Sequence, residues 1–598
     1  MGRLILTDND KWKNKLEYNF KTLLNLKEIG KVEEDYYLKV FQKKKVNNEN
    51  FYKNENNIIV SNGTFFYKEM MNKEALEQLL TDFKQLLTEA DISTCIKKIR
   101  KNMIGSYLIF IKIGNIMVGF VDETSMYPCY YYNKNSYIVT NTYYNIAECI
   151  DTSINTMAVL ENGICSMIVG NETPFKNIYR LLENEYILIK SNKLEIKNVE
   201  VNKYVYKFEN YTQAVSILKK EIEKIAKIRA KYIKKTLLFT TGGLDSRMEL
   251  ALHNLFNDEL VLGYWSGKDI ITNGTVEDLN ICKQLSECVK SEFKFFDVSY
   301  SFENCIEKLT DIELSKYGEY ACIYAHNPKW LEIPEKIKDN KIDSIGFGAL
   351  NEIIRETSQI DILKNNITLN ELVLKVKMRS GLYDNVFLDY SLIEYIANKL
   401  KNIFKLDTEK ISLEKGVNFF NRNRLHSNTI VNNYINLFYY DFNICGQKNI
   451  VDLIESIPYI WRQRSKIVIS LTKEWNKNLL AVPYFSHHKK VIYDEEKGEI
   501  IPIKFEVYKE NIKKILKNTI FYELVFELYQ KIKSNHQKSK KEEILKLCNN
   551  YLKNSKYISD EKINIILKEK NIGFDLAALA TMIAEIKLID LYKNNRNK

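Results

Sequence analysis

Several things are scarce in this chain. Proline numbers 7 and glycine 21 among 598 residues, and alanine is also sparse, whereas Lys, Asn, Ile and Tyr abound. That bias reflects the nucleotide composition of the source, and no internal repeat or low-complexity tract accompanies it. Ten cysteines are scattered without a Cys-x-x-Cys pair, which removes the usual zinc and redox signatures. Cys322 and His326 share helical spacing but have no second ligand pair, so buried core thiols are the expected role for most of the ten. No apolar run approaches the ~20 residues of a membrane-spanning helix. No arginine-rich block exists either: 88 Lys+Arg against 77 Asp+Glu gives +11, mostly through lysine. A solvated lysine-rich surface accounts for that better than a nucleic-acid partner does. The opening Met1-Gly2-Arg3-Leu4-Ile5-Leu6 runs into Asp8, Asn9 and Asp10 with no signal-peptide pattern, and Leu6 stands where myristoylation needs Ser or Thr. A cytoplasmic protein is expected.

What is present is globular. A hydrophobic content of 45% and this length allow large cores in more than one domain, and 39 tyrosines spread throughout serve packing. From about residue 57 to 205 the texture is strand-rich. Ile58-Ile59-Val60, Ser61-Asn62-Gly63 and Thr64–Tyr67 read as a hairpin. Leu76, Leu79, Leu80, Phe83, Leu86 and Leu87 mark a helix, and short runs at Tyr107–Lys112, Ile116–Val121, Tyr130–Tyr132 and Tyr137–Thr140 predict a sandwich-like α+β domain. Lys43-Lys44-Lys45 through Asn50 reads as an exposed loop.

The character changes near residue 208. An amphipathic helix leads to Leu237–Phe239, a run of strand character that ends in Thr240-Thr241-Gly242-Gly243-Leu244-Asp245-Ser246-Arg247. Met248, Ala251, Leu252 and Leu255 then fall on one helical face. A strand, a tight glycine turn and a helix N-terminus gather backbone N–H groups around one concavity, which favours an anion. An ordinary strand–helix turn can also carry a glycine pair; the added Thr, Asp and Ser tilt the reading toward phosphate. Strand at Leu260–Trp265, helix at Val276–Lys290 and strand at Phe293–Val298 predict a parallel sheet, with ligands at the carboxyl ends of its strands. A further strand, Ile342–Ile345, ends in Gly346-Phe347-Gly348 with Asn351-Glu352 behind it. Residues 356–480 read as mainly helical, Val482-Pro483 precedes His487, His488, Lys489 and Lys490, and the remainder reads as Lys/Glu-rich helix.

Thr241–Ser246 resembles the pyrophosphatase loop, S-G-G-x-D-S, of the asparagine synthetase-like ATP-pyrophosphatases. Asp278 at the head of the next helix, Gly346–Glu352, and Pro483 with Lys489/Lys490 resemble that family's later segments in order. Gly105-Ser106-Tyr107, Asp122, Tyr130-Tyr131-Tyr132 and Asn162-Gly163 to Thr173-Pro174-Phe175 resemble its N-terminal glutaminase-like domain. The resemblance implies a glutaminase-like sandwich over 1–205, an α/β parallel-sheet synthetase domain over 206–495, and a helical extension over 496–598. It implies ATP held by Thr240, Thr241, Gly242, Gly243, Leu244, Asp245, Ser246, Leu262, Gly346 and Gly348. It also implies Mg²⁺ on Asp245 and Glu352, and acyl transfer assisted by Lys490, Lys489 and Glu352; Arg247 supports the loop.

Three departures matter. Position 2 is Gly where glutamine-using members carry the nucleophilic Cys, so the N-terminal domain is expected to be a non-hydrolysing relic. Thr241 replaces the usual loop Ser, and Asn351-Glu352 replaces an Asp-Glu pair. The chain is thus similar to lasso-peptide cyclases and β-lactam synthetases, which use an amine already in the substrate. The expected activity is AMP-forming amide ligation of a carboxylate-bearing peptide or small molecule, with a precursor peptide and companion protease as partners in the macrolactam case. The alternatives are an amidotransferase acting on a cell-surface or small-molecule substrate, a tRNA-modifying enzyme sharing the loop, and a non-catalytic relative.

Overall fold

The computed structural model describes residues 3–502 apart from 48, 166–167, 257–258, 267–272, 299–331, 340, 349–352, 355–365, 378–389, 407–409, 413, 417, 420–421, 423–424, 426–430, 432, 487–488 and 495–498. Gly2, Asn351, Glu352, His487, His488 and the expected helices beyond 502 therefore lie outside the described residues.

The first two hundred residues form two stacked antiparallel sheets with helices on both outer faces. In chain order the strands are β1 (Arg3–Thr7), β2 (Glu28–Glu33), β3 (Tyr37–Phe41), β4 (Phe51–Asn54), β5 (Asn57–Tyr67), β6 (Met70–Met71), β7 (Met103–Ile113), β8 (Ile116–Val121), β9 (Tyr130–Asn133), β10 (Tyr137–Thr140), β11 (Tyr179–Arg180), β12 (Glu185–Lys190) and β13 (Lys193–Asn198). The sheets run β11-β9-β10-β1-β3-β2 and β13-β12-β8-β7-β5-β4, with β6 on β5. Period-two alternation builds the layers. Leu4, Leu6, Val40, Val60, Leu108 and Phe110 meet between the sheets. The intervening Ile59, Ile109 and Ile111 face outward onto α2 (Asn72–Leu87) and α3 (Ile92–Arg100), where Leu76, Leu79, Leu80 and Phe83 lie in the same cluster.

Two local readings are corrected. Ile58–Tyr67 is one continuous strand, not a hairpin: Asn62-Gly63 sits mid-strand, and Gly63 pairs with Tyr107 at φ +94. On the neighbouring strand Gly105 takes φ +129 and pairs with Phe65, so both left-handed glycines sit inside an unbroken ladder. Lys43 is not in an exposed loop either. Its side chain is 3% exposed, and its Nζ donates to Asn436 O (2.9 Å), Asn436 Oδ1 (2.7 Å) and Tyr439 O (2.8 Å).

Downstream, α6 (Tyr211–Tyr232) starts on Asn210, whose Oδ1 accepts the Gln213 amide at 2.9 Å. Then come β14 (Lys235–Phe239), α7 (Leu244–Leu255), β15 (Glu259–Ser266), α8 (Asn273–Val289), β16 (Glu292–Asp297) and β17 (Ser344–Phe347). All four strands are parallel, in the order β16-β15-β14-β17. The order reverses at β14, so its carboxyl end is a topological switch point, where such sheets bind ligands.

Helices and a two-stranded antiparallel ladder follow. They are β18 (Asn366–Thr368), α9 (Leu369–Lys377), α10 (Tyr390–Phe404), β19 (Lys410–Ser412), α11 (Lys448–Ser456), α12 (Lys466–Asn476) and α13 (Asn478–Ala481). After α13 come β20 (Tyr484–Ser486), β21 (Lys489–Asp494) and β22 (Glu499–Pro502), an antiparallel trio. Glu499–Pro502 was expected to be helical; its alternating Ile500 and Ile501 instead pair with Tyr493 and Ile492.

Between α10 and α11, every residue from 433 to 447 is buried against the sandwich. Thr64 Oγ1 donates to Asn436 Oδ1 at 2.7 Å, the Gly105 amide to Gln447 Oε1 at 2.7 Å, and Asn433 Nδ2 to Met126 O at 3.0 Å. Together with Lys43, these contacts satisfy polar groups that burial would otherwise leave costly.

Candidate functional site

The site grows from the end of β14. Buried Leu237, Leu238 and Phe239 need both faces of the sheet covered, and α7 covers one of them with Met248, Leu250, Ala251 and Leu252. The Thr240 amide extends the ladder by donating to Gly263 O at 2.9 Å. The residue is 2% exposed, and its Oγ1 has no hydrogen-bond partner among the described residues. Gly243 then serves as N-cap of α7 in extended backbone and offers no capping side chain. The first-turn amides of a twelve-residue helix therefore point at the turn, with the positive end of the helix dipole.

The turn is folded on itself. The Thr241 amide donates to Ser246 Oγ at 3.1 Å, and Ser246 Oγ donates to Thr241 O at 3.1 Å. The Gly243 amide donates to Thr241 Oγ1 at 3.2 Å. The Gly242 amide donates to Asp278 Oδ1 at 3.1 Å, across from α8. Burial pushes the Asp278 carboxyl up, and the Gly242 amide opposes that by lowering it. A Cβ on Gly242 would meet the same carboxylate oxygen at 2.4 Å, so glycine is required for this contact.

The second glycine-bearing strand end arrives at the same place. Beyond β17, Gly348 lies against the start of α7, and a Cβ there would come within 2.4 Å of the Ser246 amide nitrogen. Gly346 faces Leu238, 3.1 Å from a built Cβ. Thr240, Thr241, Gly242, Gly243, Asp245, Ser246 and Gly348 therefore share one locality. Leu262 does not open onto it: the side chain is fully buried with Leu238, Met248 and Leu250.

Arg247 joins this locality to residues 479–484. Fully buried, it donates through one terminal nitrogen to Leu479 O (2.8 Å) and Val482 O (2.5 Å), and through the other to Pro483 O (2.9 Å) and Gly242 O (3.5 Å). Its guanidinium lies 4.5 Å from the centre of the Tyr484 ring. Burial lowers its pKa to about 10. The hairpin rooted there carries both candidate lysines on β21, with Lys490 opposite Phe485 and Lys489 opposite Ser486.

Behind α7, Glu249 accepts from Arg229 at 2.8 Å and lies 3.4 Å from His253. Burial raises the Glu249 carboxyl, but His253 and Arg229 outweigh it and hold it at about 2. Arg229, Glu249 and His253 line a small cavity with Gly346, Phe347 and Asn443. In the sandwich, Asp122 takes the amides of Met126 (2.9 Å), Tyr127 (2.9 Å), Thr124 (3.2 Å) and Tyr107 (3.3 Å), which organises a turn. Among the described residues no group of three His, Cys, Asp or Glu side chains could by itself hold a metal ion, and no helix is long and apolar enough to cross a membrane.

Sequence reasoning missed Arg247's reach and the Thr240 hydroxyl's isolation. The carbonyls that Arg247 binds belong to the backbone and leave no residue signature. Comparison with known proteins adds little. No family model matches the chain, and no curated protein does. Among solved structures, a glutamine phosphoribosylpyrophosphate amidotransferase from B. subtilis, complexed with ADP and GMP, matches at 10% identity and a TM-score of 0.22, over 40% of this chain and 60% of that one. A structure described as the allosteric regulatory enzyme of purine biosynthesis matches at 8% identity and a TM-score of 0.22, over 58% of this chain and 89% of that one. The chain thus spans less than two thirds of the first of these, and likeness at this level carries no argument about either fold or function.

Proposed function

We propose that this protein is an ATP-dependent, AMP-forming amide ligase of the asparagine synthetase-like kind. One observation carries the reading: a glycine-rich turn with three hydroxyl side chains caps the switch-point strand of a parallel sheet, and Gly348 closes on it. In this reading a substrate carboxylate attacks the α-phosphorus of ATP, pyrophosphate leaves, and an acyl-adenylate remains. An amine then attacks the acyl carbon and AMP departs, leaving an amide.

The chain's own groups have defined tasks. The amides of Thr241, Gly242 and Gly243 pass from their side-chain acceptors to pyrophosphate oxygens, and the hydroxyls of Thr240, Thr241 and Ser246 add donors. Mg²⁺, if held by Asp245 and Glu352, would supply positive charge to offset that of the phosphates, a role needing only one or two carboxylates from the protein. Asp245, in the first turn of α7, is a hard oxygen donor suited to that. Lys490 or Lys489 supplies positive charge over the acyl centre. The amine acceptor is one carried by a peptide or small-molecule substrate, with macrolactam closure the leading case.

Isotope exchange between ATP and pyrophosphate tests the reading. Incorporation dependent on a carboxylate substrate, with AMP formed on adding the amine, is the expected result; no exchange with any candidate carboxylate rejects it. A non-catalytic relative is the second reading, favoured by the three loop amides being engaged within the protein. Failure of ATP to bind at millimolar concentration would select it.

A further inference from the structure

The geometry points to Arg247 as a positioning residue that holds the β20–β21 hairpin, and with it Lys489 and Lys490, in register with the glycine turn. This rests on the ligase reading for its purpose, but not for its evidence. Four carbonyl acceptors surround the guanidinium. One, Gly242 O, belongs to the turn. The other three, on Leu479, Val482 and Pro483, belong to the last residues before β20. The Tyr484 ring, first residue of β20, covers the guanidinium at 4.5 Å.

The arrangement is hard to explain as core filling. A fully buried cation bonded to neutral carbonyls costs desolvation that a Met or Leu would avoid. Its Nε, also buried, has no partner among the described residues, so the fork is aimed at carbonyls on two segments at the expense of its third side. Rigid two-sided binding is what a planar guanidinium does and an ammonium does not. Leu479 and Val482 also lie in and just beyond α13, whose C-terminal carbonyls favour a cation. Arg247 thus joins the first turn of the nucleotide-side helix to the root of the lysine hairpin. A shift of about 1 Å between reacting groups costs on the order of 100-fold in rate.

The test compares Arg247→Gln with Leu252→Ala, a core change in the same helix chosen to match its melting temperature. Hydrogen–deuterium exchange over residues 479–494 should quicken about tenfold or more in Arg247→Gln relative to the control. Affinity for the non-hydrolysable α,β-methylene analogue of ATP should change less than about threefold, while kcat for ATP–pyrophosphate exchange falls about 100-fold. Arg247→Lys should fall between, because one ammonium cannot span both segments. Equal hairpin exchange in Arg247→Gln and Leu252→Ala overturns the proposal whatever the enzyme does. So does a loss of nucleotide affinity as large as the loss of kcat, which would place Arg247 in service of the turn alone. If the wild type catalyses no exchange, the ligase reading fails separately and the hydrogen-exchange comparison still decides Arg247. Should Arg247→Gln not fold, Tyr484→Leu, which strips the cover from the guanidinium, takes its place with the same outcomes.

Discussion

Gly348 lies so close to Ser246 that a Cβ built on it would sit 2.4 Å from both the amide nitrogen and the Cα of Ser246. Two backbones touch here, so neither can yield by rotating a side chain. Gly348→Ala should therefore push the end of β17 off the start of α7. The expected cost is about 1–3 kcal/mol of stability from overpacking, with a disproportionate loss of ATP–pyrophosphate exchange. Urea melts beside exchange rates would show it; full activity in Gly348→Ala would mean the turn does not need this contact.

Asp245 is the carboxylate nearest the expected phosphates on α7. Asp245→Asn keeps the side chain's shape and removes its charge, so adenylation should drop by about 100-fold or more while the fold persists. Measuring AMP release against magnesium concentration checks the assignment, since weakened metal binding should be partly overcome by excess metal.

With Gly at position 2 in place of a thiol, the relic reading of the N-terminal sandwich predicts no release of ammonia from glutamine. A coupled glutamate assay checks this. Measurable hydrolysis would show that some group other than a thiol at position 2 serves as nucleophile.

Two buried groups give opposite pH dependences. Glu161 is fully buried, accepts the Val169 amide at 2.8 Å and pairs with Lys399 at 2.7 Å; burial raises its pKa to about 7 from 4.5. The folded protein thus holds a proton that the unfolded chain has lost, so this contribution is full below 4.5 and disappears as pH rises through about 7. Lys43, lowered by burial to about 7 from 10.5, works the other way: the unfolded chain binds the proton more tightly, and stability from this site rises between about 7 and 10.5. In a stability–pH profile, Glu161→Gln should remove the loss between 4.5 and about 7, and Lys43→Met the gain between about 7 and 10.5. At neutral pH Lys43→Met should also cost about 2–4 kcal/mol, because it takes the lysine donor from the buried carbonyls of Asn436 and Tyr439, while Asn436 Oδ1 keeps Thr64.

Much of the strand–turn–helix at residues 237–255 was legible in the residues. Apolar strand, glycine pair and amphipathic helix follow one another within 237–255, and local signals of that kind survive folding unchanged. The hairpin reading at Ser61-Asn62-Gly63 failed because a left-handed glycine fits inside a long strand as well as at a reversal. Lys43 was misjudged for a different reason. A lysine triplet looks solvated unless one knows which carbonyls wait for it, and those lie near residue 436. Lys489 and Lys490 were placed near the site by order alone; what ties their hairpin to the turn is Arg247 binding backbone oxygens, to which sequence patterns are blind.

The seam at residues 433–447 also bears on how the chain is made. Lys43 and Asn436 are 393 positions apart, so during synthesis the sandwich leaves the ribosome long before the segment that satisfies its buried lysine. At about 5–20 residues per second, it waits some tens of seconds with that lysine and the Gly105 amide open to water. The partners of these two buried groups thus arrive only with the segment that leads into α11 and α12.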